Sequence, residues 1–221
     1  MSSPTLDPLT NSPVAPPRDV ASSADREPHA DGRLAGLALM TGCVLAALGF
    51  LAISLAVRGS GDARFTDPLW QPLYGIALAG NILVVLGLPA VLVTHSCGSR
   101  RLTLVGYVGV LAPMVMLNVS ETTIEAFVKP YLARHGGVPG TDPAGLAAFE
   151  GLALLLLIVG CVCLAAAVFR AHILPRWVGV ALLASVLLAF ALHGDVTAFL
   201  SDYCFFAALF RFGLAAARPA N

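Results

Sequence analysis

The pattern of hydrophobic and polar positions divides the chain into a polar N-terminal segment and six long apolar stretches. A helix needs about 20 predominantly apolar residues to cross a bilayer. Inside lipid such a stretch must be helical, because its backbone groups find no water to hydrogen-bond. The stretches are Leu34–Val57, Leu69–Thr94, Leu102–Val119 with an extension towards Val128, Leu146–Phe169, Ile173–Leu192 and Val196–Ala215. The sequence therefore predicts an all-α, polytopic membrane bundle of about six transmembrane helices.

Residues 1–33 have a different composition from the rest of the chain. They contain six of the fifteen prolines, many Ser, Asp and Arg residues, and no hydrophobic periodicity. Such a segment buries too little apolar surface to offset the entropy lost on ordering. We predict a disordered N-terminal tail over 1–33, a transmembrane bundle over 34–217 and a short C-terminal tail over 218–221.

The distribution of basic residues predicts the orientation, because short cytoplasmic loops carry an excess of Lys and Arg. With the N-terminus inside, eight basic residues fall in inner segments: Arg18, Arg26, Arg33, Arg100, Arg101, Arg170, Arg176 and Arg218. Four fall in outer segments: Arg58, Arg64, Lys129 and Arg134. We therefore expect a multi-pass protein of the cell (plasma) membrane with both termini in the cytoplasm.

Composition agrees with a membrane location and excludes some partners. Charged residues make up 12% of the 221 and hydrophobic residues 57%, whereas a soluble domain carries about 25% charged residues. The formal net charge is zero, so no nucleic acid partner is expected. The expected partners are the lipid bilayer and, if the chain is an enzyme, a lipophilic small molecule; the oligomeric state stays open.

Most of the ionisable residues in or near the spans fall in the predicted outer half of the bundle. Glu121 and Glu125 lie one turn apart on the third span, and paired carboxylates in an apolar site suit acid catalysis or proton coupling. Lys129 continues the same i,i+4 ladder, so a plain Glu125–Lys129 ion pair is the competing interpretation. The other outer polar residues are Gln71, Tyr74, Glu150, His193, Asp195 and Asp202. Their convergence predicts a polar cavity or cation site there.

Three intramembrane polar residues have simpler alternatives. Asp202, six residues into the last span, should face the bundle interior beside Ser201 and Tyr203, for function or for a packing hydrogen bond. Asn81 is expected to make a hydrogen bond between helices. Arg211 lies on the opposite helix face from Asp202 and is expected to extend to the cytoplasmic interface.

Motifs for metals and cofactors are weak or absent. His193 and Asp195, separated by one glycine, form a weak metal-ligand pair that lacks the further ligands of common zinc sites. The five cysteines have no metal-type spacing and are expected to pack as small apolar groups. The sequence contains no phosphate-binding, dinucleotide-binding, zinc-protease or nucleophile-elbow motif. We predict no cofactor.

Two segments, 123–132 (TIEAFVKPYL) and 174–183 (LPRWVGVALL), carry a resemblance. Both resemble parts of small uncharacterised multi-pass membrane proteins of high-GC bacteria, a likeness that implies the polytopic fold and no activity. A fainter resemblance is to membrane-bound terpene cyclases, which protonate an alkene or epoxide with intramembrane carboxylic acids. That resemblance implies such roles for Glu125, which follows Asn118 on the third span, and for Asp202, beside Tyr203.

Three functions remain open from the sequence: a membrane bundle with a structural or regulatory role, a membrane-embedded enzyme, and a small ion-coupled carrier. The enzyme would be an acid-catalysed cyclase or isomerase of terpenoid or lipid metabolism. Its candidate catalytic residues are Glu125 and Asp202, with Glu121 and Glu150. Whether Glu125, Glu150 and Asp202 share one enclosed, partly apolar cavity is the structural test, and both sharper hypotheses fail if their side chains point to separate surfaces.

Overall fold

The computed structural model describes residues 27–58, 61–94, 100–139, 141, 143, 145–191 and 195–218, without the side chains of residues 27–30, 190–191 and 195–198. Every regular element among these residues is helical. We number the helices α1 (Glu27–Ala56), α2 (Trp70–Gly87), α3 (Ala90–Thr94), α4 (Arg100–His135), α5 (Leu146–Ala171), α6 (Arg176–Ala191) and α7 (Asp195–Ala217). A 3-10 helix covers Gly61–Thr66 between α1 and α2.

Five of these helices are long and apolar enough to cross a membrane: α1, α2, α4, α5 and α7. The predicted all-α architecture is confirmed for the described residues. The sixth predicted span, Ile173–Leu192, corresponds to α6, which has 16 residues. At 1.5 Å per residue it is about 24 Å long, somewhat shorter than the roughly 30 Å hydrocarbon core of a bilayer.

The observed helix boundaries differ from the predicted spans at Pro89, at the end of the third span, which continues to His135, and at the N-terminus. Pro89 interrupts the second span, so that α2 ends at Gly87 and α3 begins at Ala90. Pro113 does not end α4 but is followed by a π-helical segment, Met114–Val119. Helix α1 begins at Glu27, before the predicted start at Leu34. Residues 1–26 of the predicted tail lie outside the described residues.

The long helices form a closed ring. Helix α1 packs against α2 and α7, α7 against α6, α6 against α5, and α5 against α4. The π-helical part of α4 then packs against α2 and closes the ring. One end of the ring, which we call the Trp70 end, carries the start of α2 and the end of α4. The other, which we call the Ala217 end, carries α3 and the end of α7.

The half of the ring towards the Ala217 end is a dense apolar core. Its most deeply buried members include Leu39, Val84, Val110, Leu209 and Phe212, each 0% exposed. Glycines let the helix backbones approach each other here. A Cβ on Gly42 of α1 would lie 2.5 Å from the Val84 nitrogen, and a Cβ on Gly80 of α2 would collide with the Ala46 backbone. Small residues at helix contacts are typical of bundles in lipid.

We expect Gly80→Ala to destabilise the bundle, because the added methyl group meets backbone atoms that cannot turn away. Overpacking of this kind costs about 1–3 kcal/mol, which corresponds to a fall in Tm on the order of 5 °C for a chain of this size. Thermal unfolding of the detergent-solubilised protein measures it. The control is Gly75→Ala on the same helix, where a Cβ meets no atom within 4 Å; equal Tm values for both variants would contradict the packing argument.

Candidate functional site

A polar cavity of about 140 Å³ lies inside the ring, towards the Trp70 end. Four helices line it: α1 with Phe50, α2 with Tyr74, α4 with two carboxylates and two neighbouring polar residues, and α7 with Asp202. The lining residues of α4 are Asn118, Glu121, Thr122 and Glu125. The predicted convergence of Glu121, Glu125, Asp202 and Tyr74 is therefore observed.

The path of α4 explains why its polar residues point inward. Two π-helical segments, Met114–Val119 and Ile124–Val128, flank one α-helical turn, Ser120–Thr123. A π-helical segment hydrogen-bonds from i to i+5 and rotates the residues that follow it relative to an α-helix, and such segments are frequent at functional sites. Asn118 belongs to the first segment and Glu125 to the second, with Glu121 between them.

Pro130 provides the chemical reason for the second π segment. Proline has no backbone N–H, so within a helix it leaves a carbonyl one turn earlier without its donor. The carbonyls concerned are those of Glu125 and Ala126, five and four residues before Pro130. Both accept hydrogen bonds from side chains of α2 instead: the Trp70 indole Nε1–H donates to the Glu125 oxygen at 2.7 Å, and the Gln71 Nε2–H donates to the Ala126 oxygen at 3.3 Å.

At the first π segment, the hydrogen bonds from α2 to α4 come from the Asn81 side chain. Its Nδ2–H donates to the Thr122 hydroxyl at 2.9 Å and to the Asn118 carbonyl at 3.4 Å. The Thr122 hydroxyl itself donates to the Asn118 carbonyl. The predicted inter-helix hydrogen bond of Asn81 is thus confirmed, and it holds the face of α4 that carries the carboxylates against α2.

Glu125 has both features that the sequence offered as alternatives: an ion pair and a place in the cavity. Its Oε1 forms an ion pair with Lys129, one turn later on α4. Its side chain also lines the cavity, and the residue is only 7% exposed. Its second oxygen, Oε2, has no hydrogen-bond partner within the described part of the chain.

Asp202 lies where two cavities meet. Besides the polar cavity, it lines a second one of about 60 Å³ that is bounded mainly by apolar side chains of α4, α5, α6 and α7. Asn118 is the other residue that borders both. The neighbours of Asp202 fix its direction: Ser201 donates to the Ser185 carbonyl of α6 at 2.7 Å, and the Tyr203 hydroxyl donates to the Ala47 carbonyl of α1 at 3.1 Å.

The remaining predicted site residues lie elsewhere. Glu150, near the start of α5, is exposed and lines neither cavity, so the expectation that it joins Glu125 and Asp202 is wrong. Gln71 binds the α4 backbone and does not line the polar cavity. His193 and the side chain of Asp195 lie outside the described residues. Among described residues, no group of three or more His, Cys, Asp or Glu residues could hold a metal ion.

The extension of Arg211 to the cytoplasmic interface stays a prediction. Its side chain is half-buried in α7, and its Nε is buried without a hydrogen-bond partner among the described residues. Of the cysteines, Cys43 and Cys161 are buried and free, as small packing groups would be.

An aromatic and cationic cluster stands beside the polar cavity at the Trp70 end. Phe65 of the 3-10 helix meets Trp70 edge to face, with 5.0 Å between ring centroids. The Arg64 guanidinium lies 4.8 Å from the Phe65 ring and the Lys129 ammonium 5.6 Å from it. The cluster and Phe50 belong to a part of the site that sequence reasoning missed. The sequence does not indicate which way these aromatic side chains point.

Comparison with known proteins gives no match: no family model, curated protein or solved structure is significantly similar to the chain. The functional argument therefore rests on the chemistry of the site itself.

We expect Trp70→Phe to lower stability, because it leaves the buried Glu125 carbonyl without its indole donor and also removes one ring of a side chain that is 3% exposed. An unsatisfied buried polar group costs about 1–3 kcal/mol. The matched control is Trp177→Phe, since Trp177 is 46% exposed. Chemical or thermal unfolding in detergent measures both variants, and a Trp70→Phe protein as stable as Trp177→Phe would show that the indole N–H is dispensable.

Proposed function

We propose that the chain is a multi-pass protein of the plasma membrane with six spans and both termini in the cytoplasm. The five long apolar helices and the shorter α6 support the number of spans. The excess of Arg in segments at the Ala217 end supports the orientation. In this arrangement the carboxylate cavity belongs to the outer half of the membrane.

Cysteine labelling tests the orientation. In a variant without the five native cysteines, Arg134→Cys should react with a membrane-impermeant maleimide in intact cells. Arg218→Cys should react only after the membrane is permeabilised. Both positions are exposed. The opposite pattern would invert the protein, and labelling of both positions from outside would require an even number of spans between them in place of the three proposed.

We propose further that this protein is a membrane-embedded enzyme that performs acid–base chemistry on a lipophilic molecule. The observation that carries the proposal is the position of Asp202, at the junction of the carboxylate cavity and the apolar cavity. A lipophilic molecule that enters the apolar cavity brings its nearest carbon or oxygen atoms to this carboxyl group. General acid catalysis needs a carboxyl within reach of the reacting atom.

The carboxylates have different partners, which suggests different roles. Asp202 and Glu121 have no ion-pair partner among the described residues, whereas Glu125 is paired with Lys129. We assign proton donation to Asp202 and stabilisation of the developing positive charge to Glu125. A proton that Asp202 adds to a double bond or an epoxide is balanced when a neighbouring carbon loses one to a carboxylate, so isomerisation or cyclisation needs no oxidant or reductant.

The size of the cavities bears on the substrate. Pockets for drug-sized ligands measure about 300–1,000 Å³, and both cavities here are smaller, at about 140 and 60 Å³. They accommodate the reacting group of a lipid and not a whole large molecule. Leu154, Leu157 and Ile158 of the apolar cavity are half-exposed, so the rest of a lipophilic substrate would extend between helices into the bilayer.

A small ion-coupled carrier is the second candidate, and the polar, acidic lining of the cavity favours it. Transporter sites usually lie near the bilayer midplane, between parts that move relative to each other. Here the cavity is towards one end of the ring, and the other half is filled by the dense core that the glycines permit. An ion would have to pass that core, and for this reason we rank the carrier below the enzyme.

Lipid analysis tests the enzyme. Membranes of a strain that lacks the gene are compared, by untargeted mass spectrometry, after complementation with the unchanged protein, Asp202→Asn, Glu125→Gln or Glu150→Gln. We expect at least one lipophilic compound to change with the unchanged protein and with Glu150→Gln. That change should fall at least tenfold with Asp202→Asn or Glu125→Gln, because general acid catalysis contributes about 10²–10⁴-fold.

Identical lipid profiles for all strains, with each variant present in the membrane at equal amounts, would contradict the enzyme. Proteoliposomes that contain a pH-sensitive dye distinguish the carrier: it requires proton uptake that Asp202→Asn abolishes and Glu150→Gln preserves.

A further inference from the structure

Acidic side chains outnumber basic ones at the polar cavity. Three carboxylates line it, and one of them, Glu125, has a cationic partner in Lys129. Another cation, Arg64, is exposed and lies over the Phe65 and Trp70 rings at the edge of the site. Glu121 and Asp202 thus line the cavity without an ion-pair partner among the described residues.

One carboxylate oxygen in the cavity has an unused position for a donor. Glu125 is 93% buried, being 7% exposed, and its Oε2 has no hydrogen-bond partner in the part of the chain that the structure describes. A buried polar atom without a partner costs about 1–3 kcal/mol, more if it is charged. A donor inside the cavity would remove that cost, and a charged donor would also balance the carboxylates.

Aromatic rings form the opposite wall. Phe50 and Tyr74 both line the cavity and meet edge to face, with 6.5 Å between their centroids. Aromatic faces attract organic cations through the ring quadrupole, and carboxylates with aromatic rings are the usual surroundings of a bound ammonium group. A hydrated metal ion does not need aromatic rings as ligands, and the described residues contain no cluster of metal-binding side chains.

We propose that the polar cavity binds the ammonium group of a lipophilic amine, with the alkyl chain directed past Asp202 into the apolar cavity. This inference rests on the proposed function, whose substrate class it names. An ammonium group fits a cavity of about 140 Å³ and supplies the missing donor to Glu125 Oε2. Asp202 and Asn118, which border both cavities, would surround the first atoms of the chain.

The protein itself offers the reporter for a binding experiment. It has two tryptophans, and Trp177→Phe leaves Trp70, whose ring lies 4.5 Å from the Tyr74 ring. In phosphatidylcholine nanodiscs at pH 7, this variant is titrated with N,N-dimethyldodecylamine, which is protonated as the lysine side chain is. Dodecan-1-ol, with the same chain and no charge, is titrated in parallel, and empty nanodiscs correct for partition into lipid.

We expect a saturable change of Trp70 fluorescence with the amine, at an affinity at least tenfold above that for the alcohol. Glu125→Gln and Asp202→Asn in the same background should each weaken amine binding on the order of tenfold or more, as expected for one charged hydrogen bond. Glu150→Gln, which removes a carboxylate outside the cavity, should bind like the parent. Size-exclusion profiles establish that each variant is folded, and Glu121→Gln, at an exposed position, replaces Glu125→Gln if the latter does not fold.

The outcomes separate the two proposals. If the alcohol binds saturably, loses binding in Asp202→Asn and equals or exceeds the amine, the ammonium assignment is wrong and the enzyme stands. Equal weakening by Glu150→Gln overturns the cavity as the binding site. If neither compound gives a saturable signal beyond that of empty nanodiscs, the ammonium site is refuted; the enzyme then fails as well if the lipid profiles of all strains are identical.

Discussion

The whole site depends on what replaces the amide hydrogen that Pro130 lacks. In water an orphaned carbonyl is hydrated at little cost, but between apolar helices it needs a donor from the protein. Trp70 and Gln71 supply two donors from α2 to the Glu125 and Ala126 carbonyls. These side chains tie two helices together at the point where α4 departs from α-helical geometry, so the proline, the π segment and the α2–α4 contact are one structural unit.

That unit determines where the carboxylates point. In an uninterrupted α-helix, Glu121 and Glu125 share a face with Lys129, and the three could project together into water. With the π segment Ile124–Val128 held against α2, Glu125 is turned inward and becomes 7% exposed, while its ion pair with Lys129 persists. A carboxylate buried in this way has one oxygen paired with Lys129 and the other without a hydrogen-bond partner among the described residues.

The hydrophobic pattern was sufficient for the helices and for several pairwise contacts, because burial and backbone satisfaction decide them locally. It predicted the apolar helices, the Asn81 hydrogen bond and the Glu125–Lys129 pair. It placed Glu150 with the other acids because depth along a helix can be read from sequence. The direction in which a residue points around the helix axis cannot be read from sequence in the same way, and Glu150 is exposed. Pro130 was the sequence feature that could have indicated the π segment. The side chains that donate hydrogen bonds to the carbonyls it leaves unpaired come from residues about sixty positions away.

In both halves of the ring, the local backbone determines how closely the helices approach each other, and the results are opposite. Towards the Ala217 end, glycines such as Gly42 and Gly80 bring backbones together until Leu39 and Phe212 are fully enclosed. Towards the Trp70 end, the π segments hold polar side chains between the helices and keep a cavity open. The dense core beyond the cavity is the physical basis on which the proposed enzyme ranks above the proposed carrier, because an ion that crossed the bundle would have to pass through that core.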